Sequence, residues 1–168
     1  MSVQNSQKAW SELASSSLLL KAVASWRVDP QEWLESAFDR LPETVRVNPL
    51  RQDSEWVEQW LKGVGADRIG WFKGPGSAWE MPFARGSAEG EVRELLKSLH
   101  ETGRITRQEI VSMIPVLAMD ISPGETVLDM CASPGSKTTQ IAECLGDRGI
   151  VFALSLIHIS EPTRQLQI

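Results

Sequence analysis

The sequence predicts an α/β fold, and two observations carry this prediction. First, the apolar run that begins at Val127 ends in Asp129 and is followed by a tight loop of small residues and a helix start. Second, another short apolar run, 149–153, follows that helix. Strand, helix and strand in this order are typical of one βαβ unit of a doubly wound sheet, here over 126–153.

A smaller α+β module is predicted ahead of this unit. Helical spacing of apolar residues marks 3–26, and Asp29-Pro30 is a strong helix start. Alternation in 43–48 predicts a strand that points Val45 and Val47 one way and Thr44 and Arg46 the other. Ser54 is expected to cap a helix, and two β-like pieces, 68–72 and 78–83, flank a Gly-Pro-Gly turn.

Two further helices are expected between these parts, over 89–100 and from the apparent capping box 106–109, with a kink or early end at Pro115. The predicted organisation has four parts: a helical segment 1–28, a small α+β domain 29–86, helices and the start of a cofactor-binding domain over 87–153, and the tail 154–168.

Composition limits the function. The chain has 168 residues, 42% of them hydrophobic, and a net charge of −5, which is unlike a bulk nucleic-acid binder. Any RNA site must therefore be a local patch or lie outside this sequence. No apolar window is long enough to span a membrane, no signal peptide is evident, and Cys131 and Cys144 lack metal-ligand spacing. A cytoplasmic protein without a metal is expected.

The loop after Asp129 is the candidate ligand site. A Walker loop requires a glycine directly before the Lys-Thr pair, but Ser136 stands there, and a dinucleotide fingerprint requires three glycines, whereas Gly135 is alone. Two interpretations remain open. The loop is either an ordinary βα turn or the first contact of a doubly wound domain with a ligand such as S-adenosylmethionine.

Several stretches resemble motifs of one family. The segment from Asp129 to Gln140 looks like the first motif of the RsmB/NOP-type (Sun-domain) RNA cytosine-5 methyltransferases. Three more resemble family segments in the same order: 44–50, 103–109 and 111–115, the last being closest to the branch that methylates tRNA. The resemblance implies a Rossmann-like class I methyltransferase domain of which only the first βαβ is present.

The resemblance also implies site residues. S-adenosyl-L-methionine would lie against one loop, whose members are Cys131, Ala132, Ser133, Pro134, Gly135, Ser136 and Lys137. Lys137 would meet a carboxylate. Arg46 and Asn48 would belong to the domain that helps to hold RNA, most readily tRNA and alternatively rRNA. Gln108 and Glu109 would lie on a helix beside the cofactor pocket.

Catalysis by the family uses cysteines in Pro-Cys and Thr-Cys contexts on later strands, and neither context occurs here. No catalytic residue is therefore assigned in this chain, and we expect no methyl transfer by it. Residues 154–168 resemble a translated sequencing adapter, and we expect this tail not to be native. The alternatives are a short RNA- or partner-binding protein without catalysis, and a methyltransferase acting on small molecules or proteins.

Overall fold

The computed structural model describes residues 17–26, 29–37 and 39–155. It divides the chain into two compact units, residues 1–41 and 42–168. Within the first unit, helices α1 (Leu18–Ala24) and α2 (Pro30–Ser36) are formed. Trp26 and Trp33 meet edge to face with ring centroids 6.2 Å apart. The predicted helical residues 3–16, and residues 156–168 of the predicted tail, lie outside the described residues.

The second unit begins with a four-stranded antiparallel sheet in the order β2-β3-β1-β4. The elements follow the chain as β1 (Pro42–Val47), α3 (Ser54–Gly63), β2 (Asp67–Arg68), β3 (Ser77–Ala84), α4 (Gly90–Glu101) and β4 (Ile105–Arg107). Strand β1 lies inside the sheet between β3 and β4, and its side chains are buried on both faces from Glu43 to Val47. The predicted alternation along β1 is confirmed, with one apolar and one polar face.

The main apolar core lies between this sheet and two helices. Val45 and Val47 of β1 and Trp79 of β3 pack against the buried stripes of α3 and α4. Those stripes contain Val57, Leu61, Leu96 and Leu99, all at most 3% exposed. Their spacing of three or four residues places them on one helical face, which explains why these segments are helical and lie on the sheet.

The packed unit extends beyond the boundary predicted at residue 86. Helix α4 contributes to the sheet's core, and Ile105 of β4 pairs with Val47. The predicted helix start at 106–109 is wrong, because Thr106 and Arg107 belong to β4. Glu109 is itself the capping residue and accepts hydrogen bonds from the backbone N–H groups of Val111 and Ser112 at 3.1 and 3.2 Å.

The βαβ unit follows. A 3-10 helix (Ile110–Met113) leads into α5 (Ile114–Ala118), where Pro115 occupies the first turn, a position at which its missing N–H costs little. Strand β5 (Thr126–Asp129), helix α6 (Ser136–Leu145) and strand β6 (Ile150–Ala153) complete it, with β5 and β6 parallel. Val127, Ile141 and Leu145 form its core together with Val116 of α5.

Candidate cofactor loop and its support

The loop between β5 and α6 is built around Asp129. One carboxylate oxygen of Asp129 accepts the backbone N–H of Cys131 at 3.0 Å, and the other accepts the hydroxyl of Thr138 at 2.6 Å. The end of β6 closes the other side, since Leu154 donates its N–H to the Asp129 carbonyl and accepts one from Ala132, at 2.8 and 3.0 Å. The carboxylate therefore shapes the loop through contacts inside the protein.

Gly135 ends the loop in the left-handed region, with φ 109°, directly before α6. An L side chain is strained in this conformation, and glycine is not. Glycine also has no side chain that could cap the helix, so the first N–H groups of α6 face the loop without a capping partner from this residue. A helix N-terminus in this state favours negative charge.

The structure brings the seven predicted cofactor residues together on one accessible loop. Cys131, Pro134 and Lys137 are exposed, while Ala132, Ser133, Gly135 and Ser136 are half-buried. The two described residues that follow β6, Leu154 and Ser155, carry no carboxylate, although folds of this kind place an acid there for ribose hydroxyls. Among the described residues, no group of three His, Cys, Asp or Glu side chains is placed to hold a metal.

The structure places Arg46 in the interior. Its side chain is 0% exposed, and Nε and Nη2 donate to the two carboxylate oxygens of Glu143 on α6 at 2.9 and 2.8 Å. Nη2 also donates to Thr139 Oγ1 at 3.2 Å, and Nη1 donates to the Ser136 carbonyl at 3.1 Å. The guanidinium is therefore occupied by partners within the protein and does not face solvent.

The buried side-chain amides of Gln108 and Gln140 complete the hydrogen-bonded cluster around Arg46. Gln108 accepts a hydrogen bond from Arg46 Nη1 and donates to Gln140 Oε1 at 3.1 Å, and Gln140 in turn donates to the Met113 carbonyl at 3.0 Å. Gln108 thus contacts α6, but it lies in the link before the 3-10 helix and not, as the resemblance had implied, on a helix. Burial raises the pKa of Glu143, while the hydrogen bonds and charge of Arg46 oppose that shift.

Asn48 lies apart from the loop. Its side-chain amide donates to the Gly103 carbonyl and accepts the N–H of Leu50, both at 2.9 Å, so it joins the two motif segments 44–50 and 103–109. The adjoining surface forms a shallow polar groove lined by Leu50, Arg51, Gln52, Asp53 and Arg104. Within it, Arg104 Nε is 2.5 Å from Asp53 Oδ2, and this hydrogen bond lowers the pKa of Asp53.

Sequence reasoning missed Glu143, Thr139 and Gln140 as partners of Arg46. Together with Ser136 they stand at positions i, i+3, i+4 and i+7 of α6, which is one helical face. A polar face of this kind is usually solvated, so only its combination with an arginine in a buried strand could have signalled the contact. The two cysteines offer no such contact: Cys131 is exposed, and burial raises the pKa of the half-buried Cys144 thiol.

Comparison with known proteins finds relatives of this chain among RNA methyltransferases. The family model described as 16S rRNA methyltransferase RsmB/F matches residues 116–161. A tRNA (cytosine(49)-C(5))-methyltransferase of Pyrococcus abyssi is 32% identical over 126 residues, which are 74% of this chain and 38% of that protein. These matches support the resemblance of this chain to the RsmB/NOP-type RNA cytosine-5 methyltransferases. The resemblance noted in its motifs is thereby confirmed.

Two further relatives agree with this assignment. A multisite-specific tRNA:(cytosine-C(5))-methyltransferase of Saccharomyces cerevisiae is 60% identical over 43 residues, 26% of this chain and 6% of that protein. A crystal structure of a methyltransferase homologue from Pyrococcus horikoshii superposes with TM-score 0.57 and 29% identity, covering 76% of this chain and 40% of that one. The chain thus spans less than half the length of these relatives. None of its described helices is long and apolar enough to cross a bilayer.

Proposed function

We propose that this chain is part of an S-adenosylmethionine-dependent RNA cytosine-5 methyltransferase, with tRNA as its most readily expected substrate. The observation that carries the proposal is the segment 131–137. Its loop, 131–135, lies at the carboxyl edge of a parallel strand pair and leads into α6, whose N-terminus has no side-chain cap. This is where open α/β folds bind nucleotide-like ligands. Residues 126–153 would then be the first βαβ of a Rossmann-like domain.

The loop's chemistry fits the methionine part of this cofactor. A carboxylate suits the N-terminus of α6, where Lys137 adds a positive charge and Gly135 leaves open space. Bound there, S-adenosylmethionine supplies a methyl group on a sulfonium, which is an electrophile. The chain's own contribution is to hold that carboxylate, and Asp129 keeps the loop in the required bend.

In this proposal, neither Cys131 nor Cys144 is the catalytic nucleophile. A thiol attacks only as thiolate, and burial raises the pKa of Cys144, which keeps that thiol protonated. Cys131 lies on the cofactor loop itself. We therefore propose that the catalytic cysteines lie outside this sequence and that the chain alone performs no turnover.

RNA is proposed to meet the groove beside Asn48. Asn48 holds the turn that presents Arg51, and Arg51 lies against Gly103 of the second motif segment. The exposed guanidinium of Arg51 in this polar groove suits a phosphate. Ultraviolet crosslinking of tRNA to this chain should label 48–53, and crosslinks confined to α4 would contradict this assignment.

Calorimetry with S-adenosylmethionine tests the cofactor site. The chain should bind it, and Lys137→Ala should weaken binding about ten- to a hundredfold, because a charge-assisted hydrogen bond contributes about 1.5–3 kcal/mol. Lys97→Ala is the matched control: Lys97 is exposed on α4 and its substitution should leave the affinity unchanged. An unaltered chain that binds no S-adenosylmethionine would refute the proposed site.

A further inference from the structure

Arg46 links the antiparallel sheet with its two helices, residues 42–107 and here called the sheet module, to the βαβ unit 126–153. This residue stands on β1, yet its guanidinium reaches α6. Its partners on α6 are Ser136, Thr139, Gln140 and Glu143, spread over the first two turns of the helix. A planar fork with five donors can satisfy such a set at once, and an ammonium group cannot.

The contact of Arg46 with α6 includes the first residue of this helix. Ser136 is the first residue of α6 and directly follows Gly135, the last residue of the loop's bend. The hydrogen bond from Arg46 Nη1 to the Ser136 carbonyl therefore fixes the start of the helix, whose first N–H groups face the loop. Gln108 accepts a hydrogen bond from the same guanidinium and donates one to Gln140, so it also ties Arg46 to α6.

Burial limits the net stability that the Arg46–Glu143 ion pair can contribute. Buried ion pairs are poor sources of net stability, because well-packed apolar residues often replace them without loss. The Arg46–Glu143 pair is almost completely buried, at 0% and 3% side-chain exposure. The buried polar cluster that Arg46 forms with one face of α6 is therefore expected to add little net stability. It does fix a helix in one register and orientation.

We propose that Arg46 is a positioning residue for the cofactor loop, so that the sheet module is a structural part of the cofactor site. The inference rests on the proposed function for the identity of the ligand. It assigns to the upstream motif 44–50 a role in holding S-adenosylmethionine, exerted through α6 rather than through contact with RNA.

A double variant tests this role. Arg46→Met with Glu143→Leu removes both charges together, so no unpaired charge stays buried and the variant should still unfold cooperatively. Its affinity for S-adenosylmethionine should nevertheless fall about tenfold or more, since the first turn of α6 loses its anchor. Hydrogen exchange at the amides of 138–140 should be faster in this variant.

The matched control removes an ion pair in the same sheet that does not touch α6. Glu43 and Arg107 join β1 to β4, with Nη2 and Oε2 2.5 Å apart. Glu43→Leu with Arg107→Met should leave both the affinity for S-adenosylmethionine and the exchange at 138–140 unchanged. A loss equal to that of the Arg46 variant would show a general effect on folding and would overturn the inference.

The outcomes separate the two proposals. If the unaltered chain binds S-adenosylmethionine and the Arg46–Glu143 double variant binds it equally well, positioning is refuted while the proposed function stands. If the unaltered chain does not bind, the proposed function fails, and equal exchange rates at 138–140 would also refute positioning. Should the double variant not fold, Arg46→Lys decides: wild-type affinity with slow exchange at 138–140 overturns the inference.

Discussion

At the scale of single residues, the bend between β5 and α6 depends on two side-chain properties. Asp129 is an acceptor for both Cys131 and Thr138, and Gly135 supplies a backbone conformation that other residues adopt only with strain. The first property sets the width of the bend, and the second sets the direction in which α6 leaves it. Both act on the backbone N–H groups that would face a ligand.

Gly135→Ala should therefore lower the free energy of unfolding by about 1–2 kcal/mol, the cost of a left-handed conformation for an L residue. Thermal or denaturant unfolding measures it. Gly63→Ala is the control, because Gly63 ends α3 with open space around it and without a positive φ. That substitution should be neutral or stabilise the chain by up to about 1 kcal/mol. Equal stabilities of the two variants would contradict this account.

The residues differed in how far the sequence could predict them. The loop was predictable, because strand, acid, small residues and helix start are adjacent in the sequence. The role of Arg46 was not, because its partner Glu143 lies 97 residues later and nothing local distinguishes a buried arginine from one at a strand end. Long-range pairing of this kind is set by the packing of elements, which a single sequence does not display.

At the scale of elements, the sheet's short strand β4 shows tertiary pairing overriding a local pattern. Residues 106–109 fit a capping box, yet Thr106 and Arg107 pair with Arg46 and Val45 of β1. The side chain of Arg107 is then bound to Glu43 by two hydrogen bonds, at 3.0 and 2.5 Å. A three-residue strand has too little periodicity to be recognised, so the cap pattern misled the prediction.

The stability that the Glu43–Arg107 pair contributes between β1 and β4 should depend on pH. Burial alone would raise the pKa of Glu43, but hydrogen bonds from Arg107 and from the N–H of Gly86 outweigh it and lower the pKa below 4.5. The folded state thus favours the carboxylate, and its contribution is present above the unfolded value and lost as pH falls through the folded one.

Glu43→Gln should accordingly reduce the stability at pH 7 by about 1 kcal/mol and flatten the loss of stability below pH 4.5. Melting temperatures between pH 3 and 7 measure this. Glu80→Gln, at an exposed position of β3, is the control and should leave the acid profile unchanged. An acid profile of Glu43→Gln that is identical to that of the unaltered chain would count against the assignment.

At the scale of the whole molecule, the two sheets of the second unit differ in how far their faces are buried. Both faces of β1 are buried, whereas the pair β5–β6 buries only the face that carries Val127. On its other face, the register partners Leu128 and Phe152 are 55% and 56% exposed. Exposed apolar surface on a short parallel sheet favours association between copies.

Leu128→Thr with Phe152→Thr should therefore reduce binding of a hydrophobic dye and slow aggregation, while changing the melting temperature little. Threonine keeps the strand propensity at both positions. Val127→Thr, on the buried face of β5, is the control and should lower the melting temperature instead. Dye binding that is unchanged in the double variant would show that this face is not the exposed apolar surface.

The reach of Arg46 has a practical consequence for anyone who grafts segments between relatives. A guest βαβ unit placed in this chain must bring a carboxylate where Glu143 now stands, since a guanidinium enclosed without its counter-ion would cost about 3–5 kcal/mol. Chimeras cut between β4 and β5 should thus succeed only when strand β1 and helix α6 come from the same parent, or when the acid is installed along with the guest.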